Sequence, residues 1–424
     1  MRKNYNIRNL IYFIFVFLFP IIPEFTIIAG RPSYEWILLI ELVSLLILKH
    51  RIRDRFLLKK IFIGFLLYVI AYGSHAEWKS IITIMLDCYF VILVIYNEID
   101  SEIKLEKTFY VLVCGGILLS VESIFETVTE YNIFSVIQTL DASNPMGAIL
   151  LGYRDGQVRA EGSFGQPLPF AMYLLFINFI CILAFIRREK NKKYVSKIYY
   201  LGYILSILAI ILTTGRMVLA LTIVLQCIFV LSLKPEKKIM IITLGCIGIV
   251  VVIMTSPDAL QIVYTIGAVF NPNYYNKLID GGQNVAYRLQ LFSALQKYIV
   301  QNPLFGLGYA ESKDLQFMIE TPTASWMAYS IDNNYLSHLV KYGVVGVLAN
   351  IYPLWWGIKI AVKGIKLKRM QVFKWFLVIF VLYAIDLATV FQMGEKRIFF
   401  ILVAIVTVLY KMNTHTYEGD RLGK

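Results

Sequence analysis

Residues 166–186 read QPLPFAMYLLFINFICILAFI, and the basic stretch RREKNKK follows at 187–193. A transmembrane helix requires about 20 predominantly apolar residues, and this stretch has that length without a charged side chain. Apolar segments of this kind recur along the whole chain. We predict transmembrane helices at 9–28, 33–48, 57–73, 80–96, 108–128, 166–186, 198–214, 216–233, 238–255, 334–360, 373–391 and 397–412. The sequence therefore predicts an all-α fold, a polytopic membrane helix bundle of about 12 transmembrane helices.

The composition agrees with this fold class. Hydrophobic residues make up 58% of the 424 residues and charged residues 16%, whereas soluble domains have about 45–50% and about 25%. The protein is therefore neither an ordinary soluble enzyme nor a disordered chain. The cysteines, which lie inside apolar stretches and form no Cys-x-x-Cys pair, are Cys88, Cys114, Cys181, Cys227 and Cys246. We expect neither a disulfide framework nor a metal site.

The distribution of positive charge orients the predicted bundle. The net charge is +13, and most Lys and Arg residues fall in the segments that twelve spans place on the side of the N-terminus. Basic clusters occur in three of these segments, at 49–53, 187–188 and 366–369. Because positive residues collect on the cytoplasmic side, we predict that both termini are cytoplasmic. The basic face contacts membrane lipids, so the charge gives no reason to expect a nucleic-acid partner.

Two long segments on the predicted outer face interrupt the series of short loops. They divide the chain into N-terminal transmembrane helices (1–128), outer loop one (129–165), central transmembrane helices (166–255), a large outer loop (256–333), and C-terminal transmembrane helices and tail (334–424). Within the large outer loop, residues 285–300 carry apolar side chains at three- and four-residue spacing, which predicts an amphipathic helix. Long loops in a compact fold are usually functional, so we expect the site on the outer face.

Four arginines of these outer segments are candidates for binding a ligand. Arg154 and Arg159 lie in a glycine-rich stretch of outer loop one, Arg216 lies at the start of a span, and Arg288 lies on the amphipathic helix. Guanidinium groups form paired hydrogen bonds with phosphate, and an ionisable residue in the membrane normally has a partner. The pattern predicts a polyanionic ligand, such as a lipid with a phosphate or pyrophosphate head. Two alternatives stay open: the loop arginines pair with neighbouring carboxylates, and Arg216 extends to the outer interface.

Asp332 and His338 lie where the chain returns from the large outer loop to the membrane. Asp332 stands at the junction of loop and helix, where a ligand on the outer face can reach it. At a spacing of six residues, the two side chains would not share one helical face. The alternative is that both are polar residues of the membrane interface without a catalytic role.

Several of these segments resemble, in their order and spacing, the O-antigen polymerase and O-antigen ligase superfamily. Residues 159–167, RAEGSFGQP, are similar to the family's Arg…Gly-Phe-x-Asn-Pro motif, with Gln166 in the place of Asn. Arg216 resembles the family's arginine at a span boundary. The most specific similarity is Arg288, followed by an amphipathic helix and by PLFGLG at 303–308, which resembles the family's Pro-x-x-Gly-x-Gly.

The segment that returns to the membrane also resembles the family, with one departure. DNNYL at 332–336, with GVVG at 343–346, is similar to the motif His-Asn-x-Tyr-Leu…Gly-x-x-Gly. Asp332 stands where the ligases have the histidine that is taken to activate the acceptor, and His338 is not at an equivalent position. This difference weakens the ligase interpretation and leaves the polymerase interpretation open.

The resemblance implies metal-independent glycosyl transfer, without a cofactor, on the outer face of the bacterial cytoplasmic (inner) membrane. The donor would be a glycan on undecaprenyl pyrophosphate, and a polymerase would transfer the growing chain to another lipid-linked repeat unit. A chain-length regulator is a further candidate partner. By the same resemblance, the pyrophosphate and sugar would be bound by Arg154, Arg159, Arg216 and Arg288, and the base would be Asp332, with Glu161 and His338 behind it.

Two other functions stay open from the sequence. An O-antigen ligase would transfer the glycan to lipid A core, whereas a flippase would move the lipid-linked oligosaccharide across the membrane. Transporters of this kind are commonly built from inverted repeats with functional charges near mid-membrane. No repeat is visible here, and Asp87 and Asp386 are the main charged residues in mid-span. The flippase is therefore the weaker alternative.

Overall fold

The computed structural model describes residues 2–49, 55–137, 152–154, 157–190, 195–233, 283–312, 315–320, 325–366, 370–389 and 396–422. Its α-helices are Arg2–Leu18, Ser33–Lys49, Arg55–Gly73, Trp78–Ile84, Val91–Glu98, Glu102–Thr129, Pro167–Lys190, Lys197–Leu212, Arg216–Ser232, Gln283–Gln301, Tyr309–Ser312, Asn334–Ile365, Met370–Asp386 and Lys396–Leu422. A π-helical turn, Met85–Phe90, joins the fourth helix to the fifth. Short antiparallel hairpins pair Ile27–Ile28 with Arg31–Pro32, Gly152–Arg154 with Gln157–Arg159, and Phe317–Glu320 with Ser325–Ala328.

The described residues contain six helices that are long and apolar enough to cross a membrane. They are Phe56–Gly73, Trp78–Glu98, Glu102–Thr129, Pro167–Arg187, Asn334–Ile365 and Lys396–Thr414. Shorter apolar helices, Ile7–Leu18, Lys197–Leu212 and Arg216–Ser232, accompany them. The all-α, polytopic membrane fold predicted from the sequence is thereby confirmed. The number of about 12 spans stays a prediction, since the span expected at 238–255 lies outside the described residues.

The first helix differs from its predicted bounds. The sequence predicts a span at 9–28, whereas the helix runs from Arg2 to Leu18 and is followed by a turn and the first hairpin. Pro20 and Pro23 explain the early end, because proline lacks the N–H that continues a helix and its ring clashes with the preceding turn.

The chain divides into two compact units, which are described separately. The first contains Met1–Leu219, Ile351–Ala384 and Gln392–Lys424, and the second contains Ala220–Asn350 and Ile385–Phe391.

The helix Pro167–Lys190 is the core of the first unit. Every residue from 170 to 183 is fully buried. The helix packs against Glu102–Thr129, where a Cβ added to Gly116 would lie only 2.5 Å from Cγ2 of Ile177. Small residues let membrane helices approach closely, so Gly116 permits this contact. The buried amide of Asn178 is satisfied, since it donates to the hydroxyl of Ser206 at 3.1 Å.

In the second unit, the predicted amphipathic helix is present as Gln283–Gln301. Its buried residues Leu291 and Leu295 pack against the hairpin of Phe317–Glu320 and Ser325–Ala328. The sequence does not predict this hairpin. It gives the apolar face of the helix a partner within the large outer loop, so the loop has a hydrophobic core of its own.

A kink at Gly343 divides the helix Asn334–Ile365, and the turn that follows the amphipathic helix docks against it. Gly343 has φ 63° and ψ −161°, which interrupts the helical backbone. Four hydrogen bonds of 2.8–3.2 Å satisfy the backbone groups that the kink frees. They run from Val344 N–H to Pro303 O, from Val345 N–H to Leu304 O, from Leu307 N–H to Val340 O, and from Gly308 N–H to Lys341 O.

Two glycines make this docking possible. A Cβ on Gly343 would overlap the backbone of Leu304, and a Cβ on Gly306 would overlap the backbone of Lys341. Both glycines also have positive φ, which other residues adopt with strain. The paired glycine motifs at 303–308 and 343–346 thus describe the two sides of one backbone contact.

We predict that Gly343→Ala lowers the thermal unfolding midpoint of the detergent-purified protein far more than Gly30→Ala. Gly30 is a matched control, because its φ is 75° but nothing lies within 4 Å of an added Cβ. The control carries only the backbone strain of about 1–2 kcal/mol, whereas Gly343→Ala must also separate two packed backbones. Equal midpoints for the two variants would contradict the docking.

Candidate functional site

The hairpin of outer loop one contains Arg154 and Arg159 and leads into the candidate site of the first unit. Immediately after the hairpin, the N–H of Ala160 donates to the carbonyl of Leu212 at 3.1 Å. The end of outer loop one is therefore attached to the end of the helix that precedes Arg216.

The side chain of Arg159 contacts the turn before Arg216. Its Nε–H donates to the carbonyl of Thr213 at 3.2 Å and to the hydroxyl of Thr214 at 2.9 Å. Thr214 has φ 49°, which is uncommon for a β-branched residue and marks a sharp turn. The helix begins at Arg216, and both arginines are half-buried. Arg159 and Arg216, both selected from the sequence, thus lie at the same turn of the first unit.

The turn after Arg159 is fixed by Glu126, a buried residue of the long helix Glu102–Thr129. One carboxylate oxygen of Glu126 accepts the N–H groups of Glu161 and Gly162, both at 3.0 Å. Its other oxygen accepts the side-chain amide of Asn132 at 2.9 Å, and that amide also donates to the carbonyl of Gly162 at 2.8 Å. Sequence reasoning did not select Glu126 or Asn132. A carboxylate near the end of an apolar helix was the available signal.

The carboxyl group of Glu161 is buried within this arrangement. Burial and the nearby charge of Glu126 raise its pKa, the N–H of Gly152 and the guanidinium of Arg159 lower it, and the resulting pKa is about 8. At neutral pH Glu161 therefore holds its proton for most of the time. It can donate a hydrogen bond or a proton, and it becomes an effective base only near pH 8.

A second buried charged group, Arg397, binds the segment that follows the first helix and lies near Phe164 of the same turn. Arg397 is fully buried, and its Nη1 donates to the carbonyls of Phe19 and Ile22 at 2.9 and 2.7 Å. Its guanidinium also lies 4.4 Å from the ring centroid of Tyr34 and 5.7 Å from that of Phe164, which follows Glu161 in the turn. Sequence reasoning counted Arg397 within an apolar span and did not select it.

In the second unit, Tyr287 joins the start of the amphipathic helix to the segment that contains Asp332. Its hydroxyl donates to the carbonyl of Ser330 at 2.6 Å and accepts the N–H of Asp332 at 2.9 Å. Arg288 is the next residue of the helix, and both Arg288 and Asp332 are exposed. The structure thus brings a candidate arginine and the candidate base to one corner of the second unit. Tyr287 itself was not selected from the sequence.

Asn333 explains the polar residues at the start of the helix Asn334–Ile365. Its side-chain oxygen accepts the N–H of Leu336 at 2.9 Å, which is the bond of a helix N-cap. Its amide nitrogen donates to the carbonyl of Ala388 at 2.7 Å, and the N–H of Asn334 donates to the carbonyl of Leu387 at 2.9 Å. Asp332 therefore lies just before the helix Asn334–Ile365, whose N-terminus is held by these hydrogen bonds.

His338 occupies a different environment from Asp332. It is buried on the helix, and its Nδ1 donates to the carbonyl of Asn334 at 2.9 Å. Because a carbonyl oxygen can only accept, Nδ1 carries the hydrogen of this bond. Asp332 precedes the helix and is exposed, whereas His338 lies on the helix and is buried, so the two residues have different surroundings.

The comparison with protein families concerns the middle of the chain. Residues 201–351 match the family model described as O-antigen ligase. The resemblance to the O-antigen polymerase and ligase superfamily is confirmed. The O-antigen ligase match includes Arg216, Arg288, Asp332 and His338, together with both sides of the glycine docking, whereas outer loop one precedes it. No curated protein matches the chain. The middle of this membrane protein, residues 201–351, is therefore similar to the O-antigen ligase family.

We predict that Glu161→Gln reduces the dependence of stability on pH. The pKa of Glu161 is higher in the folded protein than its ordinary value of 4.5, so the folded state binds the proton more tightly than the unfolded state. Stability should then fall as the pH rises from about 5 to about 8. The glutamine variant lacks this titration. Over that pH range its free energy of unfolding should therefore fall by about 1–3 kcal/mol less than that of the unmodified protein.

The measurement is the unfolding midpoint in detergent at pH 5.5 and 8.5. Glu130→Gln, in the same outer loop but exposed, is the control and should keep the pH dependence of the unmodified protein. An unchanged pH dependence in Glu161→Gln would contradict the assigned titration.

Proposed function

We propose that the protein joins undecaprenyl-pyrophosphate-linked oligosaccharide repeat units on the outer face of the bacterial cytoplasmic membrane. The family match supports glycan transfer, and the contact of Arg159 with the turn before Arg216 is the observation that carries the proposal. It concentrates positive charge at the start of an apolar helix, where a lipid with a pyrophosphate head has a place for both its charge and its tail.

In this reaction a hydroxyl of the acceptor sugar attacks the anomeric carbon of the donor glycan. The new glycosidic C–O bond forms as the bond to undecaprenyl pyrophosphate breaks, and the hydroxyl proton passes to a base. The leaving pyrophosphate carries the negative charge, which Arg159 and Arg216 would stabilise. Arg154 and Arg288 are the further candidates for binding the pyrophosphate or the sugar. No sugar nucleotide is needed, because the donor bond is already activated.

Asp332 is the proposed base. Its exposure leaves the carboxylate accessible to a sugar hydroxyl, and the bond between its N–H and Tyr287 fixes its backbone beside Arg288. Glu161 is a weaker choice at neutral pH, because its raised pKa of about 8 keeps it protonated. His338 is buried and donates to its own helix, which supports a positioning role.

The ligase is the second candidate, and the description of the matching family favours it. Against it stands Asp332 at the position of the ligase histidine. The two functions differ in their acceptor, and deletion of the gene distinguishes them. Loss of a polymerase should leave glycans of a single repeat unit, whereas loss of a ligase should leave long polymer on the lipid carrier. A flippase deletion would instead leave repeat units on the inner leaflet.

In the deleted strain, we predict that the unmodified gene restores the ladder of glycan lengths on a gel and that Arg216→Ala and Arg288→Ala do not. The reason is the loss of a charge that binds the pyrophosphate. Lys297→Ala, an exposed cation on the same helix as Arg288, should restore the ladder. A full ladder from well-expressed Arg216→Ala and Arg288→Ala proteins would refute the proposal.

We further predict that Tyr287→Phe lowers the rate of polymer formation about tenfold while the protein remains folded. The change removes the hydroxyl that orders the backbone at Asp332, a loss of roughly 1–1.5 kcal/mol for one hydrogen bond. Tyr298→Phe is the matched control, because its hydroxyl also ties this helix to a following segment, at Gln316, but away from Asp332. Equal rates of polymer formation for the two variants would show that the hydroxyl of Tyr287 has no role in the reaction.

A further inference from the structure

Two helices of the first unit meet on the face that carries the predicted cytoplasmic charge. The helix Arg55–Gly73 begins there, and the helix Asn334–Ile365 ends there. The hydroxyl of Tyr352 donates to the carbonyl of Lys60 at 3.1 Å and joins the two. The contact agrees with the topology, in which both of these ends are cytoplasmic.

This junction brings positive charges together, in a group that we call the lysine junction: Lys59, Lys60, Lys359 and Lys363. The ammonium groups of Lys60 and Lys359 share one aromatic ring, at 5.1 and 4.3 Å from the centroid of Trp355. Lys60 is repelled by the other three lysines. Cation–π contacts reduce this repulsion but do not remove the net charge.

Other cations on the same predicted face have acidic partners. Arg8 and Lys104 pair with Glu98 at 3.3 and 2.5 Å, and Arg187 pairs with Glu102 at 3.7 Å. Among the residues that the structure describes, no carboxylate pairs with any member of the lysine junction. The fold therefore neutralises one set of inner cations internally and leaves the lysine junction positive.

We propose that the lysine junction binds the phosphate group of an anionic phospholipid from the cytoplasmic leaflet. Basic groups between transmembrane helices on the cytoplasmic side recognise anionic headgroups. Phe56 and Trp355 are 42% and 43% exposed beside the lysines, and aromatic residues at this level contact the interface of the bilayer. A lipid satisfies both features, since its phosphate meets the ammonium groups and its glycerol and acyl chains cover the rings. This inference does not depend on the proposed glycosyl transfer.

The test compares lipid binding to the full-length protein in detergent by native mass spectrometry, with phosphatidylglycerol and phosphatidylcholine of identical acyl chains. The unmodified protein should retain phosphatidylglycerol in preference to phosphatidylcholine. Lys60→Gln combined with Lys359→Gln should weaken phosphatidylglycerol binding roughly 30-fold, the factor that two lysines contribute near an anionic headgroup. A preference that survives in this double variant would overturn the proposal.

The matched control is Lys107→Gln combined with Lys197→Gln. These exposed lysines lie near the starts of the helices Glu102–Thr129 and Lys197–Leu212 on the same predicted face, so the control removes the same charge. It should retain phosphatidylglycerol as the unmodified protein does. An equal loss in both double variants would mean a general effect of surface charge and would overturn the site.

Two further measurements use proteins without those substitutions. Brominated phosphatidylglycerol should quench tryptophan fluorescence more than brominated phosphatidylcholine does, and Trp355→Phe should abolish the difference. Inorganic phosphate should neither displace the bound lipid nor raise the unfolding midpoint of the lipid-free protein. Displacement by millimolar phosphate would assign the junction to a soluble anion instead of a lipid.

Discussion

A polar or charged group inside an apolar bundle needs a partner, because neither lipid nor packed side chains replace its water. This constraint determines how the loops attach to the helices. Glu126 lies at the end of an apolar helix and is satisfied by the N–H groups of a loop turn. Arg397 is buried at the start of another helix, and its Nη1 donates to two carbonyls that follow the first helix. Glu126 therefore attaches outer loop one to the helices, and Arg397 attaches the segment after the first helix.

The same constraint acts on the backbone of the large outer loop. The kink at Gly343 frees N–H and carbonyl groups, and the turn at 302–308 supplies their partners. Neither segment satisfies its backbone alone, so the two glycine motifs form one structural element. Because the turn follows directly after the helix that carries Arg288, the docking also fixes where that helix ends. The position of a candidate binding residue thus depends on a backbone contact far along the chain.

Much of this architecture follows from patterns that are local in sequence. Uninterrupted apolar stretches predicted the spans, and three- and four-residue spacing predicted the helix Gln283–Gln301. Arg159 was selected as a guanidinium in a glycine-rich stretch of outer loop one, and Arg216 was selected because a charge at the membrane boundary normally has a partner or lines a cavity. The contacts that hold them were not predictable, since Thr214, Glu126 and Asn132 act through hydrogen bonds across long sequence separations. The hairpin at 317–328 was missed for a similar reason, because its strands are too short to show a clear alternation.

The state of Glu161 bears on an interpretation of Arg159 that the sequence left open, namely an ion pair with a neighbouring carboxylate. If Glu161 were ionised at neutral pH, it would neutralise Arg159 and the glycine-rich turn would be a closed structural unit. Burial and the charge of Glu126 instead raise the pKa of Glu161 to about 8, so the group is mostly uncharged. The Nε–H of Arg159 donates to the carbonyl of Thr213 and the hydroxyl of Thr214, and these contacts orient the guanidinium beside the turn that precedes Arg216. An arginine oriented at the start of an apolar helix fits the pyrophosphate ligand proposed above.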